Sequence, residues 1–251
     1  MYEESKQGVQ LHQELEETGL PYLLGYTIAE DQSKGEIMMT NGGTNLLEWR
    51  AKISSKKTKM LFILAMIYQV VHGLEKLHSF GYAHSDLKLE NICARVASDG
   101  KLKFTLIDFG VVSKLKKIGD VYVCNRKLFK GNLLTSSLEH IISHRSSIID
   151  DIYSLLCVAY AFVFDKLPWE KRVERYLSSF KSGVSAEQLH EVYIKIRVKF
   201  AEVFNYELIE NSQELGALFR LVIQAMQRKK KIEIKHRKLC KVSDTHHAIN
   251  Y

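Results

Sequence analysis

The segment Lys57–Ser79 constrains what this chain can fold into more than any other. Leu61, Leu64, Tyr68 and Val71 recur at helical spacing along one stripe, and Ile63, Ile67, Val70, Leu74 and Leu77 along another. A helix that is apolar on both faces belongs in the middle of a structure, so a buried central helix is expected, with the remaining chain packed around it. The polar stretch 84–91 follows directly. After it come two short apolar runs, about Ile92–Val96 and Lys103–Ile107, joined by Ser98-Asp99-Gly100, which reads as a hairpin turn. A polar loop pinned at both ends by core elements is where a rigid scaffold usually places function.

The flanking regions fill in the architecture. Val9–Glu17 reads as a short amphipathic helix ended by Gly19 and Pro21. Tyr22–Ile28 and Glu36–Met39 read as a β-hairpin around Asp31-Gln32-Ser33-Lys34-Gly35. Asn45 is placed to cap a short helix through about Ala51. Residues 108–147 have weak periodicity and are read as one long loop, which inside a compact domain is often functional. Helices are expected at about 148–164, 170–181, 185–204 and 212–228, with Leu167-Pro168-Trp169 separating the first two. A chain of 251 residues, 46% of them apolar, can bury one large core or two small ones. The expected fold class is α+β, with a small mixed N-terminal part ahead of a mostly helical body.

The chemistry sits in the polar loop and just beyond it. Asp86, Lys88 and Asn91 are spaced at two and three residues, so a structured loop can converge an acceptor, a cation and an amide oxygen on one small volume. Asp108 ends the second strand of the hairpin, with Gly110 shortly after. Phosphoryl transfer needs such a set: a carboxylate for the attacking hydroxyl, a cation for the moving phosphoryl group, and oxygen ligands for Mg²⁺.

His84-Ser85-Asp86-Leu87-Lys88 with Asn91, followed by Asp108-Phe109-Gly110, resembles the catalytic loop and metal-binding motif of eukaryotic protein kinases. Within them the chain looks like casein kinase 1. Tyr2-Glu3-Glu4-Ser5-Lys6 resembles the start of that family's αC helix. Met39, before Thr40-Asn41-Gly42-Gly43-Thr44-Asn45-Leu46, resembles its gatekeeper and hinge, and Asp150-Asp151-Ile152-Tyr153-Ser154-Leu155 resembles its αF signature. The resemblance implies a protein-kinase-like fold with a mostly helical C-lobe, and ATP and Mg²⁺ as cofactors. It implies Asp86 as the catalytic base, Lys88 as the phosphate contact, Asn91 and Asp108 as Mg²⁺ ligands, and Met39 beside the nucleotide. Asp151 would brace the loop backbone and His84 would support it. Asp150 is expected at the surface.

The departures shape the functional expectation. No glycine-rich loop and no lysine-bearing strand precede the hinge, so the N-lobe sheet is expected to be truncated. Ser85 stands where the family's loop carries an arginine, which makes switching by activation-loop phosphorylation unexpected. The segment Gly131–His140 keeps only the glycine of the usual substrate platform. The expected organisation is a partial N-lobe over 1–44, a C-lobe over 45–228 and a basic tail over 229–251. The primary expectation is a casein kinase 1-like homologue with reduced or no catalysis and a binding or scaffold role. The alternative is an active Ser/Thr kinase passing the ATP γ-phosphate to protein hydroxyls.

The net charge is +7, and much of the excess lies in Arg228-Lys229-Lys230-Lys231 and Lys235-His236-Arg237-Lys238. A protein partner or larger assembly is expected, with 228–238 available to an acidic surface, and nucleic acid is disfavoured. Cys93, Cys124, Cys157 and Cys240 form no C-x-x-C pair, so neither zinc site nor disulfide framework is expected. His246-His247 has no further ligand at suitable spacing. The acidic N-terminus does not read as a signal peptide. The apolar run Met60–Ile67 falls short of the ~20 residues that span a bilayer. Those readings place the chain in the cytoplasm and away from membranes, with nuclear or cytoskeletal association left open.

Overall fold

The computed structural model describes residues 19–29, 34–118, 121–180, 183–211 and 215–228. The expected Val9–Glu17 helix, the tip of the first hairpin, the basic tail beyond Arg228, Cys240 and His246-His247 lie outside them. The expected hairpin forms from β1 (Leu23–Ile28) and β2 (Gly35–Met39), antiparallel, with Leu23 opposite Met39. A short β3 (Thr44–Asn45) leads into α1 (Leu46–Lys52), and the Asn45 side chain accepts the Glu48 amide at 3.0 Å as its N-cap.

The long helix α2 (Lys56–Ser79) starts at a Ser55 cap and forms the spine. Met60, Phe62, Ile63, Met66, Val70 and Leu74 are buried along it. The Leu61–Leu64–Tyr68 stripe does not follow them into the core, which corrects the expectation of a helix buried on both faces: Leu61 is 61% and Tyr68 70% exposed. The two stripes lie on different sides of one helix, and the packed elements cover only one of them. By length and composition alone this helix could cross a membrane. Its buried stripe packs instead on α4 (Ile148–Phe164), where Phe62 stacks on Phe162 with ring centroids 5.2 Å apart. Trp49 and Phe104 close round Phe62 at 5.4 and 5.1 Å. Fully burying one such ring contributes ~1.5–3 kcal/mol.

After α2 come β4 (Tyr82–Ala83), the polar loop, a 3₁₀ turn at Leu89–Asn91, then β5 (Ile92–Val96) and β6 (Leu102–Leu106) paired as expected. With β3 they form one sheet in the order β3-β5-β6. The long loop expected over 108–147 is a correction. It holds β7 (Ser113–Lys114), β8 (Lys116–Ile118), β9 (Val121–Asn125), α3 (Leu138–Ser143) and β10 (Arg145–Ser147). β7 pairs with β4, and β9 runs between β8 and β10. Three of these strands, β7, β8 and β10, run only two or three residues, too short to show a period of two.

The helical remainder is α5 (Glu170–Leu177), α6 (Ala186–Lys199), α7 (Ala201–Glu210) and α8 (215–228). The single helix expected over 185–204 is two. The break falls at Phe200, which leaves helical geometry at φ −117° and ψ 17°. Its ring packs on Phe204 at 5.8 Å and takes the Arg172 guanidinium at 4.6 Å, so tertiary anchoring overrides local propensity. Cys93, Cys124 and Cys157 are free thiols, and burial pushes Cys157 up to about 12.

Candidate active site

The polar loop is built from below. Asp151 sits in the first turn of α4, 1% exposed, and accepts three hydrogen bonds. They come from the His84 amide at 2.7 Å, the Ser85 amide at 2.8 Å and the His78 ring at 2.8 Å. A buried carboxylate is tolerated only with such partners, and here it fixes the loop's path. Ser85 takes a left-handed backbone, φ 68°, which non-glycine residues rarely adopt without surrounding support. His84 is fully buried. The Asp86 amide donates to its Nδ1 at 3.4 Å, which leaves Nε2 to donate to the Ile107 carbonyl at 3.1 Å. Its ring lies 5.3 Å from that of Phe109, so one histidine ties the loop to Asp108-Phe109-Gly110.

The residues expected to do chemistry converge. Lys88 Nζ donates to Asp86 Oδ2 at 2.8 Å, and Asn91 Nδ2 donates to the same oxygen at 3.1 Å and to the Asp86 carbonyl at 2.9 Å. Asp86 Oδ1 accepts no hydrogen bond among the described residues, and neither does Asn91 Oδ1. Burial alone would lower the Lys88 ammonium, but Asp86, then Asp108 and Glu90, outweigh it and hold it above its ordinary value. That influence of Asp108 on Lys88 places the second carboxylate in the same electrostatic neighbourhood. Asp108 is exposed, with φ 64°, and its Oδ1 accepts the Gly110 amide at 3.3 Å. Both left-handed non-glycine residues of the region, Ser85 and Asp108, thus lie in the predicted motifs.

Met39 behaves differently. It ends β2 at 37% exposure, in a hairpin whose other strand residues except Gly25 are also solvent-facing. The hinge behind it is well tied: Tyr22 and Thr40 exchange bonds at 2.9 Å, and the Gly43 amide donates to Asn41 Oδ1 at 2.8 Å. Gly43 has φ 92°, and a side chain there would meet the Ala94 carbonyl at 2.4 Å. Only glycine lets the hinge lie this close to β5.

Several contributors escaped the sequence reading. Thr135 Oγ1 donates to the Leu87 carbonyl at 2.6 Å, anchoring the loop from its far side. Gly131, φ 142°, passes so close that a Cβ would meet the Ser85 carbonyl at 2.4 Å. Ser85 Oγ shares bonds with Ser113 Oγ at 2.8 Å and Ser146 Oγ at 2.6 Å, all three buried. This hydroxyl cluster joins the loop to β7 and β10. It stands where an arginine would need an anionic partner, and it needs none. Asp150 is a correction: it is 2% exposed, and its carboxylate accepts Ser137 Oγ at 2.6 Å and Ser147 Oγ at 2.5 Å. The Gly131–His140 segment was the one available signal for Thr135. Nothing local marked Ser113, Ser146 or His78, whose partners lie 28 to 73 residues away.

Comparison with known proteins agrees with this geometry. The protein kinase domain family matches residues 25–236. A Caenorhabditis elegans protein named as a casein kinase I is 32% identical over 50% of this chain and 33% of its own length. A casein kinase 1-like protein of Oryza sativa is 28% identical over 49% of this chain and 18% of its own. A Dictyostelium discoideum protein named as a serine/threonine-protein kinase is 27% identical over 60% of this chain and 31% of its own. The chain therefore spans about a third or less of the length of these relatives. A kinase domain, where active, uses ATP and Mg²⁺. With the family match covering most of the chain and the loop geometry behind it, the chain belongs to the protein kinase family, and casein kinase 1-like proteins are among the relatives it resembles.

Proposed function

We propose that this chain binds Mg·ATP through Asp108 and Asn91 and carries out phosphoryl transfer to a serine or threonine hydroxyl of a protein, with Asp86 and Lys88 in the reacting positions. The observation that carries the reading is the Asp86 carboxylate. One oxygen is held by Lys88 and Asn91, and the other is left open toward a donor. Oriented this way, Oδ1 can take the proton of an attacking hydroxyl. Lys88, kept charged by its carboxylate neighbours, can follow the transferred group's negative charge. Asn91 Oδ1 and the Asp108 carboxylate form an oxygen-only donor pair, which suits Mg²⁺ completed by phosphate oxygens and water. The metal, when bound, supplies charge neutralisation on the phosphates. The test is transfer of radiolabel from γ-labelled ATP to casein. Wild type should label and Asp86→Asn should not, while both melt at similar temperatures. Equal labelling by the two proteins would refute the assignment.

A second reading, reduced or absent catalysis with a binding or scaffold role, is favoured by the β1–β2 hairpin. Every residue of its strands except Gly25 is exposed, Met39 among them. A nucleotide seat made from so open a hairpin gives little shielding from water, and catalysis needs exclusion of water. Under this reading Mg·ATP raises the melting temperature, Asp108→Ala abolishes the rise, and no label is transferred.

A further inference from the structure

A cavity of about 240 Å³ opens in the helical body between α3, α6, α7 and α8, lined by none of the residues assigned to phosphoryl transfer. Ile142, Trp169, Phe204, Ile223 and Met226 give it an apolar wall. Arg197, on α6, lines it too and is only 3% exposed. A buried cation ordinarily has a counter-ion, because leaving water unpaired costs several kcal/mol. Arg197 has none among the described residues. Its Nη1 donates to the carbonyls of Ser136 and, at 3.5 Å, Leu133, and its Nη2 donates to the Tyr153 hydroxyl at 3.2 Å. One face of the guanidinium lies 4.1 Å from the centre of the Trp169 ring. All of these partners are neutral. The Nε hydrogen and the second Nη2 hydrogen make no bond to a described residue, although a guanidinium is built to give two parallel bonds to a carboxylate.

We propose that this cavity is a binding site for a small organic acid, an aromatic or aliphatic body with one carboxylate, whose head group pairs with Arg197 and whose body lies against Phe204, Ile223 and Met226. The ligand class follows from two properties together. The wall rewards apolar area, and the buried charge lacks the anion it would need. The volume lies below the ~300–1,000 Å³ of sites for drug-sized molecules, which selects a fragment-sized ligand. Glu139 lines the same cavity but forms no ion pair with Arg197, and it has an interaction of its own. A head group seated at Glu139 would reverse the preference from acid to amine, so the two seats are separable by experiment. The site is independent of the kinase assignment, since it shares no residue with it.

The test uses the full chain and three compounds of one shape: 3-phenylpropionate, 3-phenylpropionamide and 3-phenylpropylamine. Saturation-transfer NMR detects binding and titration calorimetry ranks it. The acid should bind at least about ten-fold more tightly than the amide, the ratio expected of one charge-assisted pair. Ala201→Trp fills the cavity from α7 while leaving the Arg197 bonds in place, and it should abolish acid binding. Arg197→Gln should equalise acid and amide. Because that change also removes the bonds to Ser136 and Tyr153, Ala201→Trp carries the decision if the glutamine variant fails to fold. Equal affinity for acid and amide, preference for the amine, binding that survives Ala201→Trp, or no binding of any compound at millimolar concentration would each overturn the proposal.

Discussion

Residues 84–91 are buried except at Lys88, Leu89 and Glu90, whereas β1 and β2 expose every residue but Gly25. Both regions contribute to the site expected from the sequence, and they are held by different means. The loop is tied to α4, β7, β10 and the Gly131–Thr135 segment by side-chain hydrogen bonds, and Asp151 of α4 is itself bonded to His78 of α2. The hairpin is held chiefly by its own ladder and by the Tyr22–Thr40 bonds at its base. A two-stranded hairpin of this kind has marginal stability by itself. The difference locates preorganisation. The groups proposed to move a proton and a phosphoryl charge are held in place by the fold itself, and the groups beside the expected nucleotide are not fixed by packing to the same degree.

The most damaging test of that contrast is Asp151→Ala. It leaves two buried backbone amides and His78 without their acceptor, and removing one member of such a buried set costs ~3–5 kcal/mol. Urea denaturation should show a loss of that size, and a loss no larger than that of a hairpin substitution would erase the distinction. Ser85→Ala should be milder, ~1–3 kcal/mol, the penalty for unsatisfied buried hydroxyls. A double-mutant cycle with Ser146→Ala sharpens it: direct bonding predicts a coupling of ~0.5–3 kcal/mol, and strict additivity would deny the cluster. Tyr26→Ser in β1, at a site 69% exposed, should change stability by no more than about 0.5 kcal/mol. A large loss there would mean the hairpin is packed in solution.

The smallest effect is a pH dependence at Lys88. Its folded-state pKa is raised above the ordinary 10.5, so the folded chain holds that proton more tightly than the unfolded one. The stabilisation is fully present below the unfolded value and lost as pH rises through the folded one. Stability of wild type relative to Lys88→Met should therefore be level at neutral pH and decline only above about pH 10.5. A decline near pH 7 would contradict the pairing with Asp86.

Much of the site was legible because its residue types are chemically obligatory and close in sequence. Asp86, Lys88 and Asn91 fall within six positions, and a cap, a hairpin turn and a periodic helix place them in order. The corrections share one cause. Tyr68 and Ile63 both read as core, and only the position of the packed elements left the first in solvent and the second fully buried. Asp150 looked like a surface carboxylate, and Ser137 and Ser147 drew it inside. β9 gave no period in five residues, and its partner β10 lies some twenty residues on.

By itself, then, the sequence determined most of the described helices, the two hairpins, the candidate set for phosphoryl transfer and the kinase family. Those properties rest on local propensity, on periodicity and on motifs whose members are near neighbours along the chain. Tertiary structure alone decided which face of α2 meets solvent, that a serine cluster ties the loop from behind, and that Arg197 is buried without a counter-ion among the described residues. Those depend on which distant atoms come within bonding distance. Side-chain hydrogen bonds act over about 3 Å of space, whatever number of residues separates the partners.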